Sequence, residues 1–119
     1  MARILVVDDD ASVRVGYHNL FRSYGHEVTA VESAEGALQL LAGGGVYDLI
    51  VSDLNMPGMS GTDLLRLLRK SPSTSHQRFV LNTNEDNSDI LAICQQYNTH
   101  FFIKGSPNLG DFVEEVLKK

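Results

Sequence analysis

The sequence contains one cysteine, Cys94, among its 119 residues. A single thiol excludes an internal disulfide and a metal site made of cysteines alone, and such sparing use of cysteine suits a reducing compartment. Long apolar runs are also missing, since none approaches the ~20 residues that a membrane-spanning helix needs. The N-terminus lacks the apolar stretch behind a basic segment that marks a signal peptide. We therefore predict a cytoplasmic protein without membrane contact.

Basic residues are outnumbered by acids, 10 to 15, which gives a net charge of -5. Because binding to a nucleic-acid backbone requires a basic surface, we predict no nucleic-acid partner. Apolar residues make up 43% of the chain, an ordinary share for a globular protein. A chain of this length can bury one core but has no room for a second domain, so residues 1–119 are predicted to form one domain.

Five short apolar runs alternate with five longer segments of helical periodicity. The runs predict strands at residues 4–7, 27–31, 49–51, 79–81 and 101–103. Ser33 is placed to cap the second helix and Asp10 to begin the first, while Cys94 falls on the apolar side of the fourth. Parallel strands need long crossover connections, which these helices supply. The pattern therefore predicts an α/β fold with helices on both faces of a parallel sheet.

Polar side chains stand at the ends of the predicted strands, where open α/β sheets bind their ligands. The sequence places acids after strands one and three, amides and a hydroxyl after strand four, and a lysine after strand five: Asp8-Asp9-Asp10, Ser52-Asp53, Asn82-Thr83-Asn84 and Lys104. If strands one and three are neighbours, their carboxylates crowd one pocket and the pKa of one of them rises. A divalent cation and the Lys104 ammonium would each relieve that repulsion. An oxygen-rich site of this kind suits Mg²⁺.

A carboxylate beside Mg²⁺ and a lysine can act as a nucleophile toward phosphorus and form an aspartyl phosphate. The protein would contribute mainly positioning and neutralisation of charge on the transferred oxygens. A hydrogen-bond donor at the end of strand four would then bind the new phosphoryl group. These residues thus predict chemistry on a phosphoryl group.

The segments "ILVVDDD", "DLIVSDLNMPGMSG" and "FFIK" resemble, in order and context, the receiver domain of bacterial two-component response regulators. The resemblance covers essentially all 119 residues. It implies a flavodoxin-like, three-layer (βα)5 fold whose five-stranded parallel sheet has the order 2-1-3-4-5. It also implies a phosphoacceptor in two-component signal transduction and not an enzyme.

Site residues follow from the resemblance position by position. Asp53 is similar to the phosphoacceptor, and Asp9 to the metal-ligating acid, with Asp8 beside it ligating Mg²⁺ directly or through water. The backbone carbonyl of Asn55 would be the third protein ligand, and Lys104 matches the lysine that contacts the phosphoryl group. The implied donor is a phosphohistidine on a histidine kinase or phosphotransfer protein. The implied signalling or homodimer surface is the face of helix 4, strand 5 and helix 5.

Three positions depart from the family pattern. Asn82 stands where the family has Ser or Thr, although a shift of register would bring the Thr83 hydroxyl to that position; an Asn amide can also donate to phosphate. Gly105 replaces the proline after Lys104, and we expect a trans peptide bond there because a cis bond without proline costs about 2.5–4 kcal/mol. Phe101 occupies the place of the family's rotating aromatic but has no hydroxyl.

These departures leave a pseudo-receiver, an interaction module with an altered or absent phospho-switch, as an alternative. A small phosphatase of the haloacid-dehalogenase type is another, because Asp8-Asp9-Asp10 contains its Asp-x-Asp nucleophile motif, and Thr83 and Lys104 follow. That family needs a further acidic pair after the lysine, whereas the acids here fall in the last helix. Acetyl phosphate with Mg²⁺ distinguishes the two. Stable phosphorylation of Asp53 would indicate a receiver, and continuous hydrolysis through Asp8 would indicate the phosphatase.

Overall fold

Five parallel strands form one sheet in the computed structural model, which describes residues 1–84 and 88–118, with backbone only at residue 88. The strands are β1 (Arg3–Val7), β2 (Glu27–Val31), β3 (Leu49–Asp53), β4 (Phe79–Thr83) and β5 (His100–Ile103). The helices are α1 (Ala11–Ser23), α2 (Ala34–Ala42), α3 (Gly61–Lys70), α4 (Ser88–Tyr97) and α5 (Leu109–Leu117). The strand order is β2-β1-β3-β4-β5, which confirms the predicted topology.

β3 and β4 extend two residues beyond the predicted apolar runs. The ladder between them continues to the pair Asp53 and Asn82, and Thr83 still pairs with Ile103 of β5. The extension arises because a strand ends where backbone pairing ends and not where side chains become polar. Asp53 and Asn82 therefore belong to the rigid sheet and not to the loops that follow.

Short polar side chains begin the helices that flank the site. Asp10 caps α1 by accepting from the Ser12 amide at 2.8 Å, and Ser33 caps α2 by accepting from the Gly36 amide at 3.0 Å. Both contacts confirm the predicted helix starts. Such caps satisfy backbone N–H groups that have no partner within the helix.

The helices form two layers on opposite faces of the sheet, and each layer has its own apolar cluster. The face covered by α1 and α5 contains Val6, Val51 and Val80 among its buried residues. The face covered by α2, α3 and α4 contains Leu81 and the buried Cys94. Cys94 is buried, as its predicted place on the apolar side of the fourth helix requires, and burial raises the pKa of its thiol, which disfavours the reactive thiolate.

Within residues 1–84 and 88–118, the structure contains no helix that is both long and apolar enough to cross a bilayer.

Candidate acidic phosphoryl-transfer site

Three acids meet at the carboxyl edge of the sheet. Asp8, Asp9 and Asp53 each offer a carboxylate oxygen within 4.8 Å of the others. The neighbouring positions of β1 and β3, which pair Val7 with Ser52, bring them together. Asp8 and Asp53 are 1% and 8% exposed, whereas Asp9 is exposed to solvent. The convergence expected from the strand ends is therefore present.

The Lys104 ammonium bridges the two buried acids. Its Nζ lies 3.0 Å from Oδ2 of Asp8 and 3.2 Å from Oδ1 of Asp53. A hydrogen bond from the Lys104 amide to the Thr83 carbonyl, 2.7 Å long, fixes the start of this loop on β4. The following peptide to Gly105 is trans, as expected, and Gly105 has a φ of 85°, which glycine adopts without strain.

Burial and neighbouring charge act in opposite directions on the two partners. Burial and the adjacent Asp8 charge raise the pKa of the Asp53 carboxyl above its ordinary value, although Lys104 opposes that rise. Burial alone would lower the pKa of the Lys104 ammonium, but its hydrogen bond to Asp8 and the charge of Asp53 raise it overall. A single ammonium thus leaves the ionised Asp53 less stable in the folded protein than in the unfolded chain.

We expect Asp53→Asn to raise the free energy of unfolding of the metal-free protein at pH 7, because the neutral asparagine avoids the burial penalty and the repulsion from Asp8 that raise the pKa of the Asp53 carboxyl. Since the folded-state pKa of Asp53 is raised, the folded protein binds more protons than the unfolded chain above the ordinary carboxyl pKa of 3.8. The destabilisation by ionised Asp53 therefore develops as the pH rises from 3.8 through the folded-state pKa. Below pH 3.8 the carboxyl is protonated in both states and the destabilisation vanishes. Urea unfolding at several pH values measures the difference, and a variant that is less stable at pH 7 contradicts the expectation.

Asn82 and Thr83 lie on opposite faces of β4. Val51 and Val80 pack under α1 and α5, and side chains alternate along a strand, so Asp53 and Asn82 share that face. Leu81 packs on the other face, where the same alternation puts Thr83. Asp53 also pairs directly with Asn82 in the β3–β4 ladder. The register therefore favours Asn82 over Thr83 as the neighbour of Asp53.

The Asn82 side chain is buried and has no hydrogen bond to any of the described residues. It is 1% exposed, and no residue among those described forms a hydrogen bond with its Nδ2 or Oδ1. A buried amide without partners costs about 1–3 kcal/mol. Within residues 1–84 and 88–118 the Asn82 amide next to Asp53 in the ladder thus lacks an acceptor, which a ligand with oxygen atoms would supply.

Mg²⁺ fits this set of donor groups. Three carboxylates provide hard oxygen ligands, and two of them already share the one ammonium. Such a group favours a small divalent cation that retains several water ligands. Asn55 donates its amide to Asp53 Oδ1 over a long 3.4 Å, and the predicted role of its carbonyl as a ligand stays a prediction.

Sequence reasoning missed two residues that support the acids. Gly61, the first residue of α3, packs so closely against β3 that an added Cβ would overlap the Asp53 carbonyl group. Arg14 of α1 donates from Nη1 to the Asp8 carbonyl at 2.7 Å. Gly61 directly follows Ser60, which caps α3. A glycine at that place was a usable signal, because glycine is a poor helix former and needs another reason to be there. No sequence pattern specified the contact of Arg14.

The family model described as "Response regulator receiver domain" matches residues 4–116. The chemotaxis protein CheY of Pseudomonas aeruginosa is 34% identical over 119 aligned residues, which cover 98% of this chain and 90% of that protein. The response regulator protein FleR of the same organism is 46% identical over 68 residues, covering 57% of this chain and 14% of FleR. The chain therefore spans nearly all of one relative and a small part of the other.

Solved structures of similar chains share the architecture throughout. A crystal structure of a response regulator receiver protein from Pseudomonas putida superimposes with a TM-score of 0.86 at 26% identity, covering 98% of this chain and 96% of that one. The chemotaxis protein CheY4 of Vibrio cholerae gives a TM-score of 0.84 at 25% identity, with coverages of 99% and 97%.

Proposed function

The chain belongs to the family of response regulator receiver domains of two-component systems, and on this premise we propose that Asp53 accepts a phosphoryl group. The observation that carries the proposal is the contact of the buried Asp53 carboxylate with Lys104, beside two further acids. The proposed donor is a phosphohistidine on a histidine kinase or phosphotransfer protein, the donors from which receiver domains take phosphoryl groups. We also propose that residues 1–119 act as one such domain.

The transfer exchanges one bond to phosphorus for another. An Asp53 carboxylate oxygen bonds to phosphorus while the bond from phosphorus to the donor's imidazole nitrogen breaks. The imidazole takes the electron pair of that bond and, with one proton from solvent, leaves in its neutral form. The products are a neutral histidine and an aspartyl phosphate on Asp53.

Lys104 and the acids divide the work of charge neutralisation. The Lys104 ammonium, already 3.2 Å from Asp53, holds a phosphoryl oxygen by a charge-assisted hydrogen bond. Asp8, Asp9, Asp53 and the Asn55 carbonyl would hold Mg²⁺, which supplies further positive charge at the phosphoryl oxygens when bound. The protein thus acts as a phosphoacceptor and not as a classical enzyme with a separate substrate.

Asn82 is the proposed donor to the new phosphoryl group. Its buried Nδ2 has no hydrogen bond among the described residues and lies on the same sheet face as Asp53. A phosphoryl oxygen would satisfy this donor, so the hydroxyl that the family normally uses is replaced by an amide. Thr83 becomes the less favoured candidate.

We expect Asn82→Ala to weaken binding of beryllofluoride, a phosphoryl mimic, by about 10- to 150-fold, because one hydrogen bond to a charged group contributes roughly 1.5–3 kcal/mol. Asn82→Thr retains a hydrogen-bond donor, so its affinity for beryllofluoride should be within a few-fold of that of the original protein. The measurement is an NMR titration with Mg²⁺ present. Thr83→Val is the matched control, since this nearly isosteric change lies on the opposite face; weakened binding in this control alone would assign the contact to Thr83.

The experiment that tests the function is incubation with Mg²⁺ and acetyl phosphate, followed by intact-mass spectrometry and peptide mapping. We expect one phosphoryl group per chain, located on Asp53. Continuous release of phosphate through Asp8 without label on Asp53 would contradict the proposal and favour the phosphatase chemistry. The acids and Lys104 are present and in contact, so no observation favours the pseudo-receiver alternative. Cytoplasmic location, the absence of a nucleic-acid partner and a homodimer through α4, β5 and α5 stay predictions.

A further inference from the structure

Arg14 contacts the backbone at both ends of the acidic triplet that follows β1. Its Nη1 donates to the Asp8 carbonyl at 2.7 Å, and its own amide donates to the Asp10 carbonyl at 3.1 Å. The second contact belongs to the first turn of α1, so the side chain reaches back from a regular helix over the loop. One residue therefore connects the rigid helix to the segment that bears Asp9.

The Asp8 side chain and backbone are held from several directions. Oδ1 accepts from the Asp10 amide at 2.9 Å, and Oδ2 faces Lys104 at 3.0 Å. The Asp8 amide donates to the Val31 carbonyl of β2 at 3.1 Å. With these groups fixed, the Asp8 carbonyl is the remaining backbone group of that residue, and Arg14 binds it.

The Asp8 carbonyl belongs to the peptide unit that leads into Asp9. Because a peptide unit is planar, fixing the direction of its carbonyl also fixes the direction of the Asp9 amide and Cα. Asp9 is exposed, and its carboxylate completes the acid cluster with Asp8 and Asp53. Arg14 thus restrains the backbone that carries the most exposed member of the cluster.

We propose that Arg14 is a positioning residue that directs the Asp9 carboxylate toward Asp8 and Asp53 and so sets the affinity of the cluster for a divalent cation. The inference rests on the proposed function, because it concerns the same site. In the part of the chain that the structure describes, the ion pairs do not include Arg14, so its contact with the loop is to backbone oxygen. Its guanidinium is planar and holds a carbonyl in a fixed direction, which a lysine does not reproduce.

A role in positioning and a role of charge predict opposite results. If the guanidinium acted only through its positive charge, it would repel a divalent cation, and its removal would tighten binding. If it positions Asp9, its removal weakens binding even though the repulsive charge has gone. Residues that orient metal ligands from outside typically change metal affinity by about 10- to 100-fold when they are replaced.

The test is the Mg²⁺ dissociation constant of the whole chain, measured by NMR titration of the Asp9 and Asp10 amides. We expect Arg14→Met and Arg14→Lys each to raise the constant by about tenfold. Arg22→Met is the matched control, because it removes the same charge from an exposed position in the last turn of α1. The Mg²⁺ dissociation constant of this control should stay within about twofold of that of the original protein. Arg22 lies at the end of α1 that is far from the acids, where water and salt largely screen its charge.

Unchanged or tighter Mg²⁺ binding in Arg14→Met would overturn the proposal, and so would a normal constant in Arg14→Lys. Thermal unfolding of each variant checks the fold, and Arg14→Lys carries the test if Arg14→Met does not fold. The positioning role of Arg14 and the phosphoacceptor function of Asp53 can fail separately. If Asp53 is phosphorylated but both Arg14 variants bind Mg²⁺ normally, only the role of Arg14 is wrong. No label on Asp53 in the original protein removes the function itself.

Discussion

Asp53→Asn is expected to abolish transfer from a phosphohistidine donor, lowering the rate by on the order of 10³-fold or more, as removal of a nucleophile does. The asparagine side chain has nearly the same shape, but its amide oxygen is a poor nucleophile and carries no charge to form an acyl phosphate. Asp8 and Asp9 remain in the pocket, so a normal fold without label shows that neither of these carboxylates replaces Asp53 as the nucleophile. Intact-mass spectrometry after incubation with the donor and Mg²⁺ provides the measurement.

Asp10→Asn is the matched control for that experiment. It makes the same chemical change within the same acidic segment, and asparagine caps a helix as well as aspartate does, so α1 should begin normally. We expect label on this variant at the level of the original protein. Label that persists on the Asp53→Asn variant would show that another carboxylate, with Asp8 the first candidate, attacks phosphorus.

The second large effect is expected from Gly61→Ala, which should lower the free energy of unfolding by about 3 kcal/mol. A Cβ at residue 61 would overlap the Asp53 carbonyl oxygen and would lie 3.0 Å from the carbonyl carbon and 3.1 Å from Cδ2 of Leu81. Two of these atoms are backbone of β3, which pairs on both sides and cannot retreat. Urea unfolding in metal-free buffer measures the change.

Gly16→Ala provides the control with the same substitution. Gly16 lies inside α1 on an exposed position, and an added Cβ meets no atom within 4 Å. Alanine should therefore stabilise the protein by about 0.5–1 kcal/mol through helix propensity. Ordinary substitutions change the free energy of unfolding by about 1 kcal/mol. If Gly61→Ala changes it by no more than that, α3 can move away from Asp53 without a large cost, and the expectation is wrong.

The alternation of apolar runs and amphipathic segments predicted a parallel α/β sheet, and the resemblance to receiver domains supplied the strand order 2-1-3-4-5. Because parallel strands end at one edge, Asp8, Asp53 and Lys104 could then be expected to meet. The prediction of strand ends was less accurate, because β3 and β4 continue through Asp53 and Thr83. Side-chain polarity marks where burial ends, and backbone pairing depends on neighbours that a local pattern does not contain.

Three features of the contacts between elements could not be obtained from the sequence. The choice between Asn82 and Thr83 depended on the register of β4 against β3, which shifts every side chain to the other face if it moves by one residue. The contact of Arg14 with the Asp8 carbonyl depends on how α1 leaves the loop after β1. The close approach of Gly61 to Asp53 depends on the distance between a helix and a sheet. Each of these is a property of tertiary packing.

The alternation of side chains along β4 separates two kinds of residue across the thickness of the sheet. Asp53 and Asn82 lie on the side of α1 and α5, whereas Leu81 and Phe101 pack on the side of α4. Backbone hydrogen bonds of 2.7 Å, from Leu54 to the Asn82 carbonyl and from Lys104 to the Thr83 carbonyl, join the strands between them. Only one layer of backbone therefore separates the acids from the apolar side chains under α4, so the two sets of residues share the same strands but not a surface.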